Sequence, residues 1–520
     1  MGAKQRIFAL GLTVGGVLGI TASLLLALRT PIARANPGVL YVSATDPTCG
    51  GESPCYTSLQ AAVDHASHGD GIRVAAGIYT GAQTIVTSPG YTYTQVVLIT
   101  KTLTIEGGYT TANWTAADPV ANPTIIDAQR SGRSISIVGD WSQKVTVKGL
   151  TITGGDYSGR GNPPGVANRV CARTGSDCGG GLFAHRVTLS LVDSVITDNI
   201  ASRTAPYSDG GGAYLWQLSH GSRIENSRFI SNSTQGSFGE GGGMYVDYGD
   251  GITITSSVFE RNQAQGGGAG LAIFQPDERV LIQDTAFTNN MTSHGKGGAL
   301  RAYLTSSDTA LRLDRVTLVG NQGQDQGAAI DLSKQGSGVT TVDLTNVLLA
   351  DNSLSLPGAY GAIVNAEGGS GGDLAVHMKH LTWANHPTLT ALRLSTIYGK
   401  PITATLTNSL IATATNAFAG DEGGGEVTVE HTKTLTYAVP TLHATENGTP
   451  TFDATDSLTG DPKLDAAYHL QAGSAAIDAG VDAGVTVDID GDPRTGLPDI
   501  GADEYRIIQV YLPLVIRNHR

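Results

Sequence analysis

The sequence predicts an all-β protein, a right-handed parallel β-helix solenoid with a helical cap at its N-terminal end. Three observations carry this reading. A short strand closed by Asn recurs: "SVITDN" ends at Asn199, "SRFISN" at Asn232, "SVFERN" at Asn262, "TAFTNN" at Asn290, "VTLVGN" at Asn321 and "VLLADN" at Asn352, at spacings of 33, 30, 28, 31 and 31 residues. A glycine marker keeps step with it, as "GGGLF" at 179–183, "GGGAY" at 210–214, "GGGMY" at 241–245, "GGAGL" at 267–271 and "GGAL" at 297–300. No helical periodicity accompanies the repeat.

A period near thirty residues narrows the architecture. Propeller blades need four longer strands in roughly 40 or more residues, and leucine-rich repeats need Leu at fixed offsets. Three strands of about five residues with their turns fill one coil of a parallel β-helix, and each unit buries its face only against its neighbours. Stacking places like residues above like, so the closing Asn becomes a ladder. Asn suits that place because it tolerates the left-handed conformation and because its amide can bond the backbone and the next Asn. "LTWAN", ending at Asn385, is expected to add one more rung.

Residues 1–35 begin with Lys4 and Arg6, continue through an apolar run from Ile7 to Leu28, and end in Ala33-Arg34-Ala35. This is the pattern of a secretory signal with a small-x-small cleavage site. The run is also long enough to span a bilayer, so a retained anchor is the alternative. Either way the remainder is expected outside the cell or at its surface. In that oxidising setting Cys49 with Cys55 and Cys171 with Cys178 read as two small disulfide loops, since metal-type C-x-x-C spacing is absent. Residues 36–71 read as the cap: Leu59, Ala62, Val63 and Ala66 recur at helical spacing before "HGDG" breaks the helix. His65, His68 and Asp70 read there as a solvated turn. Residues 72–455 read as the solenoid, in about eleven to thirteen coils. Residues 456–505 read as a closing segment and 506–520 as a tail. "VYLPLVIRNHR" within that tail reads either as an anchoring signal or as a last strand.

Some of these stretches carry family resemblances. "FERN", "FTNN" and "FISN" with "GGAL" and "GGAY" resemble the repeats of polymorphic outer-membrane proteins. "SLQAAVDHASHGDGIRVAAGIYTG" resembles the opening of bacterial secreted β-helix proteins of the pectin-lyase-like group. "YHLQAGSAAIDAGVDAGVTVDIDGDPRTGLPDIGADEY" (468–505) resembles the choice-of-anchor Q region that closes β-helix surface proteins ahead of attachment tails. The resemblances imply fold and address rather than a reaction.

Composition excludes one class of partner. With 33 Lys and Arg against 46 Asp and Glu, net charge −13, nucleic acid is not expected. A membrane is expected only through the first segment or the tail. Taking the glycine marker as a strand start points Leu182, Ala213, Met244, Leu300 and Ile330 inward. The first outward row then stacks Phe183, Tyr214, Tyr245, Ala272, Arg301 and Asp331. The second stacks His185, Trp216, Asp247, Phe274, Tyr303 and Ser333. Phe183, Tyr214, Trp216, Tyr245, Phe274 and Tyr303 thus form an aromatic strip able to stack on the C–H faces of a sugar chain. Asp247, Arg301 and Asp331 lie within it. The alignment slips at "GGGAGLAIF", and the same strip could simply bind coil to coil.

Three functions follow: a non-catalytic surface protein binding glycan or matrix, a polysaccharide lyase or glycosidase, or a structural surface-layer component. Catalysis has little support, because Asp247 and Asp331 lie three coils apart, about 14 Å, beyond the reach of a paired-carboxylate mechanism. No cofactor is required. "DIDGDPR" does resemble part of a calcium loop through Asp488, Asp490 and Asp492, which Asp499, Asp503 and Glu504 could complete. Its Gly comes one place early, no Glu follows twelve positions after the first Asp, and an Asp-rich turn explains the same letters.

Overall fold

The computed structural model describes residues 38–506 apart from 88, 89, 277, 306–308, 357, 359, 360, 370, 397 and 398. The expected leader (1–35) and all of the expected tail but Arg506 lie outside the described residues. The chain winds as a right-handed parallel β-helix of three sheets, in register from coil to coil apart from local shifts such as those between Arg73 and Ala75, His386 and Thr390, and Gly420 and Asp421. In the first sheet, inward residues stack as Leu40, Ile72, Ile105, Val147, Leu191, Ile224, Ile254, Ile282, Leu313, Leu344, Met378, Leu406, His431 and Ala454. Leu40 belongs to the cap, so thirteen of these rungs, Ile72 to the exposed last one at Ala454, fall within the expected solenoid, at the upper end of the expected coil number. The second sheet stacks Leu182, Ala213, Met244, Leu271, Leu300 and Ile330 inward, as the glycine marker required. In the third, Phe229, Phe259 and Phe287 lie in parallel with ring centroids 4.8 Å apart, which is the strand spacing itself.

The closing Asn residues run between two sheets as a buried ladder. Asn262 illustrates the unit: its Oδ1 accepts from the backbone N–H (3.0 Å) and the side-chain amide (3.1 Å) of Asn232, while its own amide donates to Phe229 O at 2.8 Å. The pattern repeats from Asn199 through Asn232, Asn262, Asn290 and Asn321 to Asn352. Two details differ from the expectation. Positive φ falls on the residue before each Asn (Asp198, Ser231, Arg261, Asn289, Gly320 and Asp351), so the ladder Asn is chosen for its amide, not for the left-handed conformation. Asn385 is not a rung: it continues that preceding position (φ 61°) and bonds Asp351, and buried His386 takes the place below Asn352.

The ladder explains the glycine marker. One glycine of each marker has φ between 54° and 69° (Gly179, Gly210, Gly241, Gly268, Gly297), the first letter everywhere but in the slipped marker at 267–271, where it is the second; this region favours glycine. Two residues on, a Cβ at Gly181 or Gly212 would lie 2.7 or 2.8 Å from the side chain of Asn199 or Asn232. Asn turn and glycine strand start are therefore one interlocking feature.

The N-terminal opening is covered as expected. Helix α1, Leu59–His65, is capped by Ser58, whose Oγ accepts from Ala61 N–H at 3.4 Å. It buries Leu59, Ala62 and Val63, with Ala66 following, against Leu40 and Val42 of the first coil. The C-terminal segment behaves differently. Strands continue to Thr459, and residues 460–506 turn back along the outside of the third sheet. Leu470, Ala476 and Ile500 pack there on Leu410, Ala412 and Leu435, and Arg494 Nη2 donates to Asn346 Oδ1 at 2.9 Å.

Removing one rung leaves several buried polar groups without partners, at about 1–3 kcal/mol for a lost partner. Asn262→Leu is therefore expected to lower stability by about 3 kcal/mol in urea unfolding. Asn385→Gly, exposed and already at positive φ, is expected to change it by less than about 0.5 kcal/mol. Similar losses at both positions would contradict the ladder.

Candidate functional site

The two outward rows form in the expected register. Phe183, Tyr214, Tyr245, Ala272, Arg301 and Asp331 pair in succession, as do His185, Trp216, Asp247, Phe274, Tyr303 and Ser333. Their exposure is where the expectation fails. Phe183, Tyr214, Trp216 and Tyr245 are at most 3 % exposed, and Asp247 and Asp331 are buried with them. The cover is the long insertion 155–178, closed by the Cys171–Cys178 disulfide, together with Tyr91 and Tyr93 of an antiparallel hairpin. The other expected disulfide, Cys49–Cys55, is also formed. Buried Arg133 fastens the insertion, donating to Cys178 O at 2.8 Å and lying 3.5 Å from the Tyr157 ring centroid. Beneath it the rings stack, Phe183 on Tyr214 and Tyr214 on Tyr245 at 6.1 and 5.4 Å. These four aromatics are therefore core under a lid, and no open strip reaches solvent there.

Where the cover stops, a cleft of about 520 Å³ opens. It lies over the short coil where the spacing slips. In that coil Gly267 and Ala272 stand where the coil before has Glu240 and Tyr245. The space is used by Arg301, whose Cδ and Nη1 would sit 2.7 Å from a Cβ at Gly267. Phe274 and Tyr303, the last two aromatics of the expected strip, are half-buried in its wall. Tyr207 and Phe238 face them, and Arg173 enters from the covering insertion, 5.1 Å from the Phe274 ring centroid.

The charges here are matched in detail. Glu240 Oε1 accepts from Arg301 Nη1 and from Tyr303 Oη, both at 3.0 Å, and Arg301 Nε lies 3.3 Å from Asp331 Oδ2. Lys296 pairs with Glu367, and Arg173 stands 3.9 Å from Asp209. Although burial disfavours its charge, Glu240 and Asp331 hold the Arg301 guanidinium protonated, with its pKa moved up. Both carboxylates favour its charged form, which works against its use as a neutral base. Behind the cleft, burial pushes the Asp209 carboxyl up to about 7 and Asp247 up to about 6, against the opposing pull of the Tyr214 Oη–H donated to Asp247 at 2.5 Å. Both are about 2 % exposed, so these proton-holding carboxyls are sealed from any large substrate.

Sequence reasoning missed Arg173, Tyr207, Phe238, Glu240 and Lys296. A signal existed for two of them. The residue just before each glycine marker also stacks coil on coil, and Glu240, Gly267 and Lys296 occupy that row in turn. Arg173, Tyr207 and Phe238 sit in insertions of irregular length, where register says nothing.

The carboxylates of the expected calcium loop all have protein partners. Asp488 Oδ1 accepts from the N–H groups of Asp490 and Asp492, and its Oδ2 from Glu504 N–H. Asp492 pairs with Arg506, and Asp490 with His469 at 3.0 Å. Asp499 accepts from Asp478 and Tyr505 N–H, and Glu504 binds Arg494. These carboxylates serve as turn acceptors because the segment has few regular strands to satisfy its amides.

The family described as "Right handed beta helix region" matches residues 121–370. "Probable autotransporter YfaL" of Escherichia coli (strain K12) is 29% identical over 181 residues, covering 31% of this chain. The chain spans 13% of the length of that curated relative. Among solved structures, pectate lyase Pel9A has 13% identity and TM-score 0.40, covering 91% of this chain and 97% of that one. The catalytic domain of a GH87 alpha-1,3-glucanase in complex with tetrasaccharides has 13% identity and TM-score 0.40, over 81% of this chain and 69% of that one. A mannuronan C-5 epimerase A-module of Azotobacter vinelandii has 14% identity and TM-score 0.37, over 78% and 95%. Similarity of this order speaks to neither substrate nor chemistry.

The buried carboxyls give a pH test. Asp247 titrates higher in the folded chain (about 6) than in an unfolded one (about 3.9), so the folded state holds the extra proton. Its contribution is complete below about pH 4 and is lost as pH rises through about 6. Asp247→Asn retains an acceptor for Tyr214 and removes the ionisation. Relative to the parent, its melting temperature should rise between about pH 4.5 and 7.5, by the equivalent of about 2 kcal/mol. A pH-independent difference would count against a buried, proton-holding Asp247.

Proposed function

We propose that this protein is an exported cell-surface β-helix that binds neutral glycan, without catalysis, at the cleft over its short coil. The observation that carries the reading is the emergence of the aromatic row there: Phe274 and Tyr303, faced by Tyr207 and Phe238, offer ring faces next to the hydrogen-bonding side chains of Arg173 and Gln335. Ring faces against sugar C–H surfaces and polar groups toward hydroxyls are what a carbohydrate subsite needs. Lys296 and Arg301 already have carboxylate partners, which disfavours a uronate and favours an uncharged sugar. The leader-like residues 1–35, the two disulfides and the autotransporter relative support an exported address.

Affinity electrophoresis of the full chain against neutral and acidic polysaccharides tests this. Retardation by a neutral polymer is expected, weakened about tenfold, or about 1.4 kcal/mol, by Phe274→Ala. Trp141→Ala, which removes an exposed aromatic outside the cleft, should bind as the parent does. Release of new reducing ends would favour the lyase or glycosidase reading. No retardation by any polymer would leave the surface-layer role.

A further inference from the structure

The C-terminal segment, folded back along the third sheet, assembles a group of side chains that the cleft does not use. One ligand atom each from His469, Asp490 and Asp503 lie within 4.8 Å of one another. All three line a second cleft of about 470 Å³, open to solvent beside Asp492, Tyr505 and Arg506. We propose that His469, Asp490 and Asp503 form a binding site for one divalent transition-metal ion of the zinc type. This inference is independent of the glycan reading.

Three features support it. His469 presents Nε2 3.0 Å from Asp490 Oδ2, while its Nδ1 faces Asp465 Oδ2 at 3.9 Å. Brought to hydrogen-bond distance by a small ring rotation, a carboxylate behind the second ring nitrogen fixes tautomer and orientation, as it does in metal-bound histidines. Asp465 is itself held by the N–H groups of Ala467 and His469. Asp503 is 8 % exposed, and its Oδ2 accepts from Leu470 N–H at 2.6 Å. No other hydrogen bond reaches its carboxylate among the described residues, and its ligand oxygen lies within 4.8 Å of that of Asp490, where two carboxylates repel. A cation between them would offset that repulsion.

The donor set chooses the ion. One imidazole nitrogen and two carboxylate oxygens, with a position left open toward the cleft, suit Zn²⁺, which accepts three protein ligands and a water. Ca²⁺ takes six to eight oxygens. The candidate that would add them, Asp488, has both oxygens occupied by backbone amides. Binding requires the ligand atoms to close to about 3.4 Å of each other, the edge of a tetrahedron with bonds of about 2.1 Å. Rotation of the partly exposed His469 and Asp490 side chains supplies that movement.

The test is calorimetric titration of the chelator-treated full chain with ZnCl₂ and, separately, with CaCl₂. One zinc per chain is expected, with at least tenfold weaker binding in His469→Ala and in Asp490→Asn and much weaker calcium binding. Both substitutions are at partly exposed positions, and each variant without metal should melt at the parent's temperature, which separates lost ligation from lost folding. Absence of saturable zinc binding would overturn the proposal. So would zinc binding unchanged in both variants, or a preference for calcium.

Discussion

The structure depends on the contact between the asparagine turn of one strand and the glycine start of another. Each ladder Asn from Asn232 to Asn352 accepts twice from the coil on one side, Asn199 accepts once from Gly155 N–H, and all donate to a backbone carbonyl, so a buried corner that would otherwise strand several amides is partnered. The same corner leaves no room for side chains where the glycine marker crosses it. Height along the axis is thereby fixed coil by coil, and the apolar stacks inherit that spacing. The parallel phenylalanines at 4.8 Å are a consequence of the ladder as much as a support to it.

With the corner fixed, variation in coil length has to appear elsewhere, and it does so in two opposite ways. The insertion 155–178 adds a disulfide-closed flap that covers the outward aromatics of the second sheet. The short coil removes material, putting Gly267 and Ala272 where neighbouring coils carry larger side chains. One change makes a lid and the other makes the cleft at its edge. Stacking an aromatic row beneath the lid also obliges the polar groups in it to stay paired or protonated, which is why Asp209 and Asp247 titrate so high.

Much of this was readable in the letters. The period, the inward set Leu182 to Ile330 and both outward rows follow from stacking two markers, even across the slip at residue 267, because glycine at positive φ recurs in every coil there. Exposure was not readable, since outward in a solenoid means only away from the core, and an insertion of irregular sequence decides what lies above it. Asn385 misled because its hexamer looks like the others, while the ladder position had passed to His386. The Asp-rich stretch was legible only in part. Its carboxylates satisfy amides of a chain that lacks regular strands, and only Asp490 of the expected three meets a histidine from far along the sequence.

The account rests on which outward aromatics solvent can reach, and hydroxyl-radical footprinting of the intact protein reads this residue by residue. Labelling of Phe274 and Tyr303 at the cleft, with Phe183, Tyr214, Trp216 and Tyr245 silent until the disulfides are reduced and the chain unfolded, is the predicted result. Labelling of Tyr214 and Trp216 at rates matching Tyr303 in the folded protein would contradict it, and would restore an open aromatic strip along the whole sheet.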